Sequence, residues 1–206
     1  MPQWDFLNFL AERGRRYPNF SLFMEANVED LLHANGRVAG LMARTSTGQL
    51  EVRADLVVAA DGRHSVLRDR AGLVPDDLGA PMDVLWFRLS RAPGDSSESI
   101  GHFEPGRLVV QINRGNYWQC AMVIPKGAAH AVRERGLDTF RAQVTDVLPW
   151  ARQRISEDLK TWDDVKLLSV RVDRLWQWYK PGLLFIGDAA HAMSPIAGVG
   201  INLAIQ

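Results

Sequence analysis

In two segments of the sequence, an apolar run is followed by an acidic residue with a glycine next to it. The first is ADLVVAADGRHSVLRDRAG (54–72), with Asp61 and Gly62, and the second is GLLFIGDAAHAMSPIAGVGINLAIQ (182–206), with Gly187 and Asp188. In open α/β sheets, ligands bind at the carboxyl ends of the strands, and the first amides of the following helix can bind anions. Both segments are therefore candidate ligand-binding turns.

The second segment carries groups that suit a large, flat ligand. Asp188 can accept hydrogen bonds from the hydroxyls of a sugar or ribityl chain. Glycines at 198 and 200 allow a ligand to approach the backbone closely, since no Cβ intervenes. Amides near Gly200–Asn202 would favour negative charge on that ligand. A buried strand, a capped turn and a glycine-rich loop that binds nothing would show the same pattern, and spacing alone leaves both interpretations open.

The two turns need buried strands to hold them. Residues 56–60 and 183–186 are continuously apolar, which is typical of strands covered on both faces. Asp61 and Asp188 lie 127 positions apart in the sequence. Such a separation suits one nucleotide-binding layer that is interrupted by an inserted second domain.

The rest of the chain predicts short helices and antiparallel strands. Asn35-Gly36 and Thr47-Gly48 are typical hairpin turns and predict a β-meander. From 83 to 124 apolar and polar residues alternate with a period of two, as in an antiparallel sheet with one packed face. Residues 92–99 have the composition of a mobile loop. The predicted elements are helices over 3–17, 65–71 and 127–159, the last broken at Pro149, and strands over 22–24, 28–33, 38–44, 49–53, 56–60, 165–172 and 183–186.

Composition excludes several classes of protein. The 206 residues include 24 Lys+Arg and 24 Asp+Glu, so the clustered positive charge that nucleic acids and anionic membrane surfaces require is not expected. The single cysteine, Cys120, cannot form an internal disulfide. No apolar run approaches the roughly 18–20 residues that span a bilayer, and the N-terminus lacks the order of a signal peptide. These features predict a cytoplasmic protein without disulfides.

Other reactive residues carry weaker signals. His33 and His130 have no companions at metal-ligand spacing, so no metal site is expected. Ser65 stands near His64 but lacks the G-x-S-x-G elbow of a hydrolase nucleophile. Cys120 lies in an alternating strand and is interpreted as a small buried apolar residue.

The two acidic segments resemble motifs of the FAD-dependent aromatic hydroxylases, the para-hydroxybenzoate hydroxylase-like flavoprotein monooxygenases. Residues Asp61, Gly62, Ser65 and Arg68 match that family's D-G-x-x-S-x-x-R motif. Its G-D-A-A-H…P…G-x-G-x-N motif is matched by Gly187, Asp188, Ala189, Ala190, His191, Pro195, Gly198, Gly200 and Asn202. Both motifs occur in the family's order, and the resemblance covers essentially the whole chain.

The resemblance implies FAD as the cofactor and a role for each matching position. Asp188 would hold the ribityl hydroxyls, the backbone at 200–202 would contact the pyrimidine edge of the flavin, and Pro195 would line its reactive face. The motif around Asp61 and Arg68 would lie near the FAD pyrophosphate. It would also take part in the use of NADPH or NADH as the reductant. Val28 would meet the adenine. The cofactor-binding residues implied are Asp188, Gly187, Ala189, Pro195, Gly198, Gly200, Ile201, Asn202, Asp61, Gly62, Arg68 and Val28.

The fold implied is α/β, or α+β overall: a partial Rossmann-like FAD-binding layer with an inserted, mostly antiparallel β-sheet substrate domain. Residues 1–80 would be the middle of the FAD-binding domain, 81–180 the substrate domain, and 181–206 the FAD-binding domain again. The family's opening G-x-G-x-x-G unit and its C-terminal helices have no counterpart in these 206 residues. An internal fragment is therefore expected, and the isolated chain is expected to bind FAD weakly or not at all.

The activity implied is that of an FAD-dependent, NAD(P)H-using monooxygenase that hydroxylates an aromatic or similar small organic substrate with O2. Oxygen transfer needs no strong acid or base from the protein, so no residue is named as catalytic; His191 is either a proton relay or a structural residue. The alternatives are a flavin-dependent reductase, dehydrogenase or halogenase on the same scaffold, or an inactive fragment that no longer binds FAD. Candidates to face the substrate are Trp86, Arg88, Gln111, Asn113, Tyr117 and Gln119.

Overall fold

A computed structural model describes residues 3–195, 198 and 200–205. It contains both helices and sheets, as the α/β prediction requires. The helices are α1 (Gln3–Gly14), α2 (Val66–Arg70), α3 (Ala129–Glu134), α4 (Leu137–Val147), α5 (Arg152–Asp158) and α6 (Gly200–Ile205), with 3-10 turns over Pro149–Ala151, Trp162–Asp164 and Gly187–Ala189. The strands are β1 (Asn27–Ala34), β2 (Arg37–Thr45), β3 (Gly48–Arg53), β4 (Val57–Ala59), β5 (Asp76–Asp77), β6 (Met82–Ser90), β7 (Ile100–Glu104), β8 (Arg107–Asn113), β9 (Tyr117–Pro125), β10 (Lys166–Leu168), β11 (Asp173–Arg174), β12 (Tyr179–Lys180), β13 (Leu183–Phe185) and β14 (His191–Ala192).

The chain divides into two compact units. The sheet unit consists of residues 80–170 together with the start of α1, and the motif unit consists of 7–79 and the described residues from 171 onward. The motif unit contains both acidic turns. The functional names that the sequence suggests for these regions, substrate domain and FAD-binding domain, stay predictions.

The sheet unit is built on five antiparallel strands in the order β10-β6-β9-β8-β7. Leu85, Phe87 and Leu89 on β6 all point to one face, because the side-chain period of a strand is two. That face packs against α3, α4 and α5, where the Phe140 ring meets Phe87 edge-on at a centroid distance of 5.7 Å. The alternation from 83 to 124 therefore predicted the sheet correctly.

Two carboxylates anchor the ends of this sheet. Asp83, at the start of β6, is buried and accepts hydrogen bonds from Lys126 Nζ at 2.9 Å and from the amides of Gly127 at 2.8 Å and Val170 at 2.9 Å. Burial alone would raise the pKa of Asp83, but these hydrogen bonds outweigh it and lower the pKa. The Asp83 carboxylate therefore connects the start of β6 with Gly127 and Val170, which follow β9 and β10 in the sequence.

Asp95 anchors the loop over 92–99. Its carboxylate accepts hydrogen bonds from both Nη atoms of Arg154, from Trp118 Nε1 at 3.1 Å and from the amide of Ala92 at 3.0 Å. The Arg154 guanidinium holds the pKa of Asp95 well below its usual range. Composition predicted a mobile loop here, but its polar residues are used to tie it to the sheet unit.

The motif unit combines three small sheets. β1, β2 and β3 form the predicted antiparallel meander. β4 and β13 pair in parallel, with Leu183 opposite Val57 and Phe185 opposite Ala59. β12 flanks β13, and β11 lies between β14 and β5. The core below these strands includes Leu31, Val38, Val57, Leu67, Leu183 and Phe185.

Gly182 shows how closely the meander meets the layer of β4 and β13. Its φ is +81°, and a Cβ at this position would lie 2.0 Å from the carbonyl oxygen of Val38 on β2. The Val38 amide donates a hydrogen bond to the carbonyl of Pro181 at 2.9 Å. Only glycine combines this conformation with so close an approach of two backbones.

Two elements differ from the sequence prediction near the N-terminus. Residues 22–24 form no strand: Leu22, Phe23 and Met24 are exposed, and Glu25 has a φ of +55°, which interrupts the extended run. α1 ends at Gly14 rather than at residue 17. The Phe20 ring occupies the space that a Cβ of Gly14 would fill, 2.7 Å away, so the chain turns back there.

No helix within the described part of the chain is long and apolar enough to cross a membrane. Residues 3–195, 198 and 200–205 likewise contain no group of three or more His, Cys, Asp or Glu side chains placed to hold a metal ion.

Candidate functional site

The two acidic turns follow neighbouring parallel strands. Asp61 comes two residues after β4, and Asp188 comes three residues after β13. The amide of Ile186 donates to the carbonyl of Ala59 at 3.0 Å, which extends the pairing to the point where both strands end. Both carboxylates are exposed at this edge. The two segments therefore belong to one layer, although 127 positions separate their acids in the sequence.

In the first turn, Ser65 and Asp61 hold the start of α2. The Ser65 hydroxyl caps the helix by accepting a hydrogen bond from the amide of Arg68 at 3.0 Å. Asp61 Oδ2 accepts a hydrogen bond from the amide of Leu67 at 3.2 Å. Gly62 lies between the strand and the cap with a φ of +84°. The spacing of acid, glycine and serine in the motif thus corresponds to a strand-to-helix turn.

Arg68 connects the two turns. Its side chain is 3% exposed; Nη1 donates to the carbonyl of Ala189 at 3.1 Å and Nη2 to the carbonyl of Arg63 at 2.8 Å. Nε is buried and has no hydrogen-bond partner among the described residues. No carboxylate of the described residues lies within ion-pair distance of this guanidinium. The sequence predicted Arg68 as a cofactor-binding residue, and the structure shows it between two backbone carbonyls.

In the second turn, the 3-10 turn Gly187–Ala189 exposes one side chain and buries the next two. Gly187 has a φ of +55°, and its carbonyl accepts a hydrogen bond from the Ala190 amide at 3.0 Å. Asp188 is exposed, whereas Ala189 and Ala190 are fully buried. The small side chains at 189 and 190 let the turn sit directly on the core of the motif unit.

His191 lies against an aromatic ring. It stacks on Trp178 with a centroid distance of 5.0 Å and an interplanar angle of 19°, and its backbone pairs with Arg174. Both neighbours belong to the motif unit. Of the two interpretations of His191, this arrangement favours the structural one.

The loop after β14 is described at five of the predicted positions: Pro195, Gly198, Gly200, Ile201 and Asn202. The amide of Gly198 donates to the carbonyl of Pro195 at 3.1 Å, and Gly198 has a φ of +63°. Positions 200–202 form the first turn of α6. The residues between them, Ile196, Ala197 and Val199, lie outside the described residues.

Val28 lies on β1, away from the carboxyl ends of β4 and β13 in the sequence. It is half-buried, pairs with Ala43, and packs on the same core as Leu67 and Leu183. The next residue, Glu29, accepts a hydrogen bond on its carbonyl from Arg70 Nε at 2.9 Å, which ties β1 to α2. The meander therefore reaches the first acidic turn through α2.

A cationic cavity of about 300 Å³ lies beside the first turn. Its basic lining residues are Arg63, His64, Arg68 and Arg171, and Asp69 is its single acidic one. From the sequence, no role was assigned to Arg171 or to His64. The basic pair Arg63-His64 directly after Asp61-Gly62 was the signal available in the sequence.

The substrate-facing candidates divide between the two faces of the five-stranded sheet. Trp86, Arg88 and Gln119 line a cavity of about 420 Å³. Tyr117 is on their face, because it pairs with Ser90 and its ring lies 4.7 Å below the Arg88 guanidinium. These four residues remain candidates.

Gln111 and Asn113 lie on the opposite face, toward the helices. They pair with Cys120 and Trp118, both buried in the core of the sheet unit. Gln111 Oε1 contacts His102 Nε2 at 3.3 Å, and Asn113 Nδ2 donates to the carbonyl of Ser97 at 2.8 Å. Leu108, Val110 and Ile112 of β8 face away from the helices, so the six candidates named from their polarity do not share one face of the sheet.

The FAD binding domain family model matches residues 1–206. Among curated proteins, 6-methylpretetramide 4-monooxygenase of Streptomyces rimosus is 34% identical over 207 residues, which cover all of this chain and 49% of that protein. Among solved structures, PqsL of P. aeruginosa in complex with 2-aminobenzoylacetate aligns with a TM-score of 0.78 at 21% identity, covering 100% of this chain and 56% of the other.

A second solved structure, the flavin-dependent halogenase CmlS, aligns with a TM-score of 0.77 at 18% identity, covering 97% of this chain and 37% of that one. At such identities the two structures share the fold with this chain. The chain spans about half the length of the curated relative that it matches over all of its residues. The match of the family model over the full sequence, together with both motifs at one sheet edge, shows that the chain belongs to the FAD binding domain family.

Proposed function

We propose that this chain is part of an FAD-dependent monooxygenase that uses NADPH or NADH to hydroxylate a small aromatic substrate with O2, in the cytoplasm. The observation that carries the proposal is the parallel pairing of β4 and β13, because it brings both motifs to one edge of a layer. The matched relative, a 6-methylpretetramide 4-monooxygenase, supports the reaction class.

The residues at this edge fit FAD. The exposed Asp188 carboxylate suits the hydroxyls of a ribityl chain, and the first amides of α6 at 200–202 have no acceptor within the helix. We therefore assign the flavin end to Gly187, Asp188 and Ala189 with Pro195, Gly198, Gly200, Ile201 and Asn202. Asp61, Gly62 and Val28 would lie toward the pyrophosphate and adenine.

When bound, FAD supplies electron transfer and the activation of O2, and the chain's own residues bind and orient. The cavity lined by Arg63, His64, Arg68 and Arg171 suits the phosphate groups of NADPH or NADH, because its three arginines outnumber Asp69 in its lining together with Asp173, which forms an ion pair with Arg171. Arg68, which also borders it, has no carboxylate partner among the described residues, so its buried charge would be favoured by an anion in this cavity.

We place the substrate on the face of the sheet that carries Trp86, Arg88, Tyr117 and Gln119. The cavity combines the indole ring with a guanidinium, an amide and the charged groups of Asp158, Asp163, Asp164 and Lys166, which suits an aromatic ring that bears polar substituents. The name of the PqsL complex describes a ligand of that kind, 2-aminobenzoylacetate, in a protein of the same fold.

The test has two steps. FAD titration of the enzyme that this chain is part of, followed by flavin fluorescence, should show binding that Asp188→Ala weakens strongly and that the exposed Glu51→Gln on β3, the matched control, leaves unchanged. NADPH oxidation should then consume O2 and be stimulated by an aromatic substrate.

Three results would overturn the proposal. The first is the absence of flavin binding in every form of the protein. The second is NADPH oxidation without O2 uptake, which indicates a reductase. The third is a strict requirement for halide, which indicates a halogenase.

A further inference from the structure

We propose that Arg68 is a positioning residue for Asp188, acting through the backbone of the second turn rather than by contact with the cofactor. The inference rests on the proposed function, since it assigns Asp188 to the ribityl chain. It concerns how a side chain of the first motif sets the geometry of the second.

The contacts of Arg68 define what it holds. One guanidinium donates to the carbonyl of Ala189, the residue after Asp188, at 3.1 Å and to the carbonyl of Arg63 at 2.8 Å. The acceptors lie on the two acidic turns, and Ala189 is 121 positions from Arg68 in the sequence. Because the guanidinium is planar and rigid, its two bonds fix the distance between the turns.

The second turn carries the Asp188 carboxylate on its exposed side. It consists of three residues and begins at a glycine with a φ of +55°. The Arg68 bond holds the Ala189–Ala190 peptide, which is the second peptide after Asp188. The next carbonyl, that of Ala190, accepts a hydrogen bond from the Leu175 amide at 2.7 Å. A shift of the Ala189–Ala190 peptide would reach the Asp188 carboxylate through the single peptide between them.

The base of Arg68 is itself rigid. The Ser65 hydroxyl caps α2 by accepting a hydrogen bond from the Arg68 amide at 3.0 Å, and Leu67 packs in the core. Arg68 as a whole is 3% exposed. Within the described part of the chain its Nε has no hydrogen-bond partner, so the two carbonyls set the position of the group. A buried cation held in this way keeps one geometry on average, as a positioning residue requires.

The first experiment measures FAD affinity in a double-mutant cycle of Arg68→Met and Asp188→Asn. Arg68→Met should lower the affinity by about tenfold when Asp188 is present and by less than about twofold when it is replaced, because the two residues act as one unit. Equal losses in both backgrounds would mean direct contact of Arg68 with the cofactor and would overturn the proposal. The matched control is Arg53→Met, exposed on β3 of the same unit, which should leave the affinity unchanged.

The second experiment needs no cofactor. Hydrogen exchange at the Ala190 amide, which donates to the Gly187 carbonyl at 3.0 Å, reports whether the turn is held. Arg68→Met should speed this exchange while the amides of β2 keep their wild-type rates. Unchanged exchange at Ala190 would overturn the positioning role.

The two experiments separate the two proposals. If the wild-type protein binds no flavin, the proposed function fails, and exchange at Ala190 alone decides the role of Arg68. If Arg68→Met does not fold, both measurements are made on Arg68→Lys, which keeps the charge and one donor. That variant should show a smaller change in both, and wild-type values in both would overturn the proposal.

Discussion

The sheet unit and the motif unit each have a core of their own, but they draw it from different lengths of chain. The core of the sheet unit comes from one continuous stretch, 80–170, around five antiparallel strands. The core of the motif unit comes from two stretches, and its central pair, β4 and β13, is parallel. Parallel strands need a crossover connection, and here that connection contains the whole sheet unit.

The difference explains why the chemistry-bearing turns are in the motif unit. Neighbouring parallel strands end at the same edge, so two turns can share a ligand there. Neighbouring antiparallel strands end at opposite edges and are joined by hairpins. The sheet unit therefore offers a face, whereas the motif unit offers an edge with two acids and a connecting arginine.

Because the sheet unit has a core of its own, its stability should depend on side-chain packing within that core. Phe140→Ala removes a fully buried ring that meets Phe87, and it should destabilise the sheet unit by about 3–5 kcal/mol through a cavity. Urea dependence of hydrogen exchange in β9 measures this. The control is the exposed Phe103→Ala in the same unit, which should have little effect. Equal loss in both variants would contradict the assignment of the core.

In the motif unit, the largest effect on stability is expected where two backbone segments approach each other closely. Gly182→Ala puts a Cβ 2.0 Å from the Val38 carbonyl at a φ of +81°, and it should destabilise the unit by about 3 kcal/mol or more. Gly72→Ala is the matched control: its φ is +65° with open space around it, so about 1–2 kcal/mol of left-handed strain is expected. Hydrogen exchange in β13 measures both, and a Gly72 effect as large as that of Gly182 would refute the close contact.

The next prediction concerns pH. The folded-state pKa of Asp95 is lowered, so its contribution to stability is present above the unfolded-state pKa of about 4 and is lost as the pH falls below it. Acid unfolding followed by Trp fluorescence should therefore show a loss of stability below about pH 4 that Asp95→Asn reduces. Glu98→Gln in the same region is the control and should keep the wild-type slope. An unchanged slope in Asp95→Asn would mean that the anchor contributes nothing.

The smallest effect is expected on the surface of the motif unit. Arg44 and Glu29 form an exposed pair between β1 and β2, with an Nε–Oε1 distance of 2.7 Å. Such pairs are screened by solvent, so Glu29→Gln should leave the unfolding midpoint within experimental error. A clear loss in thermal unfolding would show that this meander, unlike the sheet unit, is held by surface charge.

Several elements were predictable because their signals are local. The Asn35-Gly36 turn predicted the meander, the period of two over 83–124 predicted the antiparallel sheet, and Pro149 predicted the end of α4. Residues 22–24 have the apolar composition of a strand but find no partner strand, and composition cannot show that. The extent of the strand predicted over 165–172 was also wrong, since only Lys166–Leu168 pairs with β6.

The sequence by itself determined which residues carry chemistry. The types and spacing of Asp61, Gly62, Ser65, Gly187 and Asp188 define strand-to-helix turns, since glycine, capping hydroxyl and acid each act within a few residues of backbone. Period and composition likewise determined the two kinds of sheet. These are local properties, and no distant contact is needed to produce them.

Only the tertiary structure decided what these residues meet. It placed Arg68 between two backbone carbonyls, brought Arg171 beside His64, and turned Gln111 toward the helices. Each of these depends on strand register or on contacts between residues far apart in the sequence. Register and long-range contact are set by the packing of whole elements, which the spacing of residues within one element does not specify.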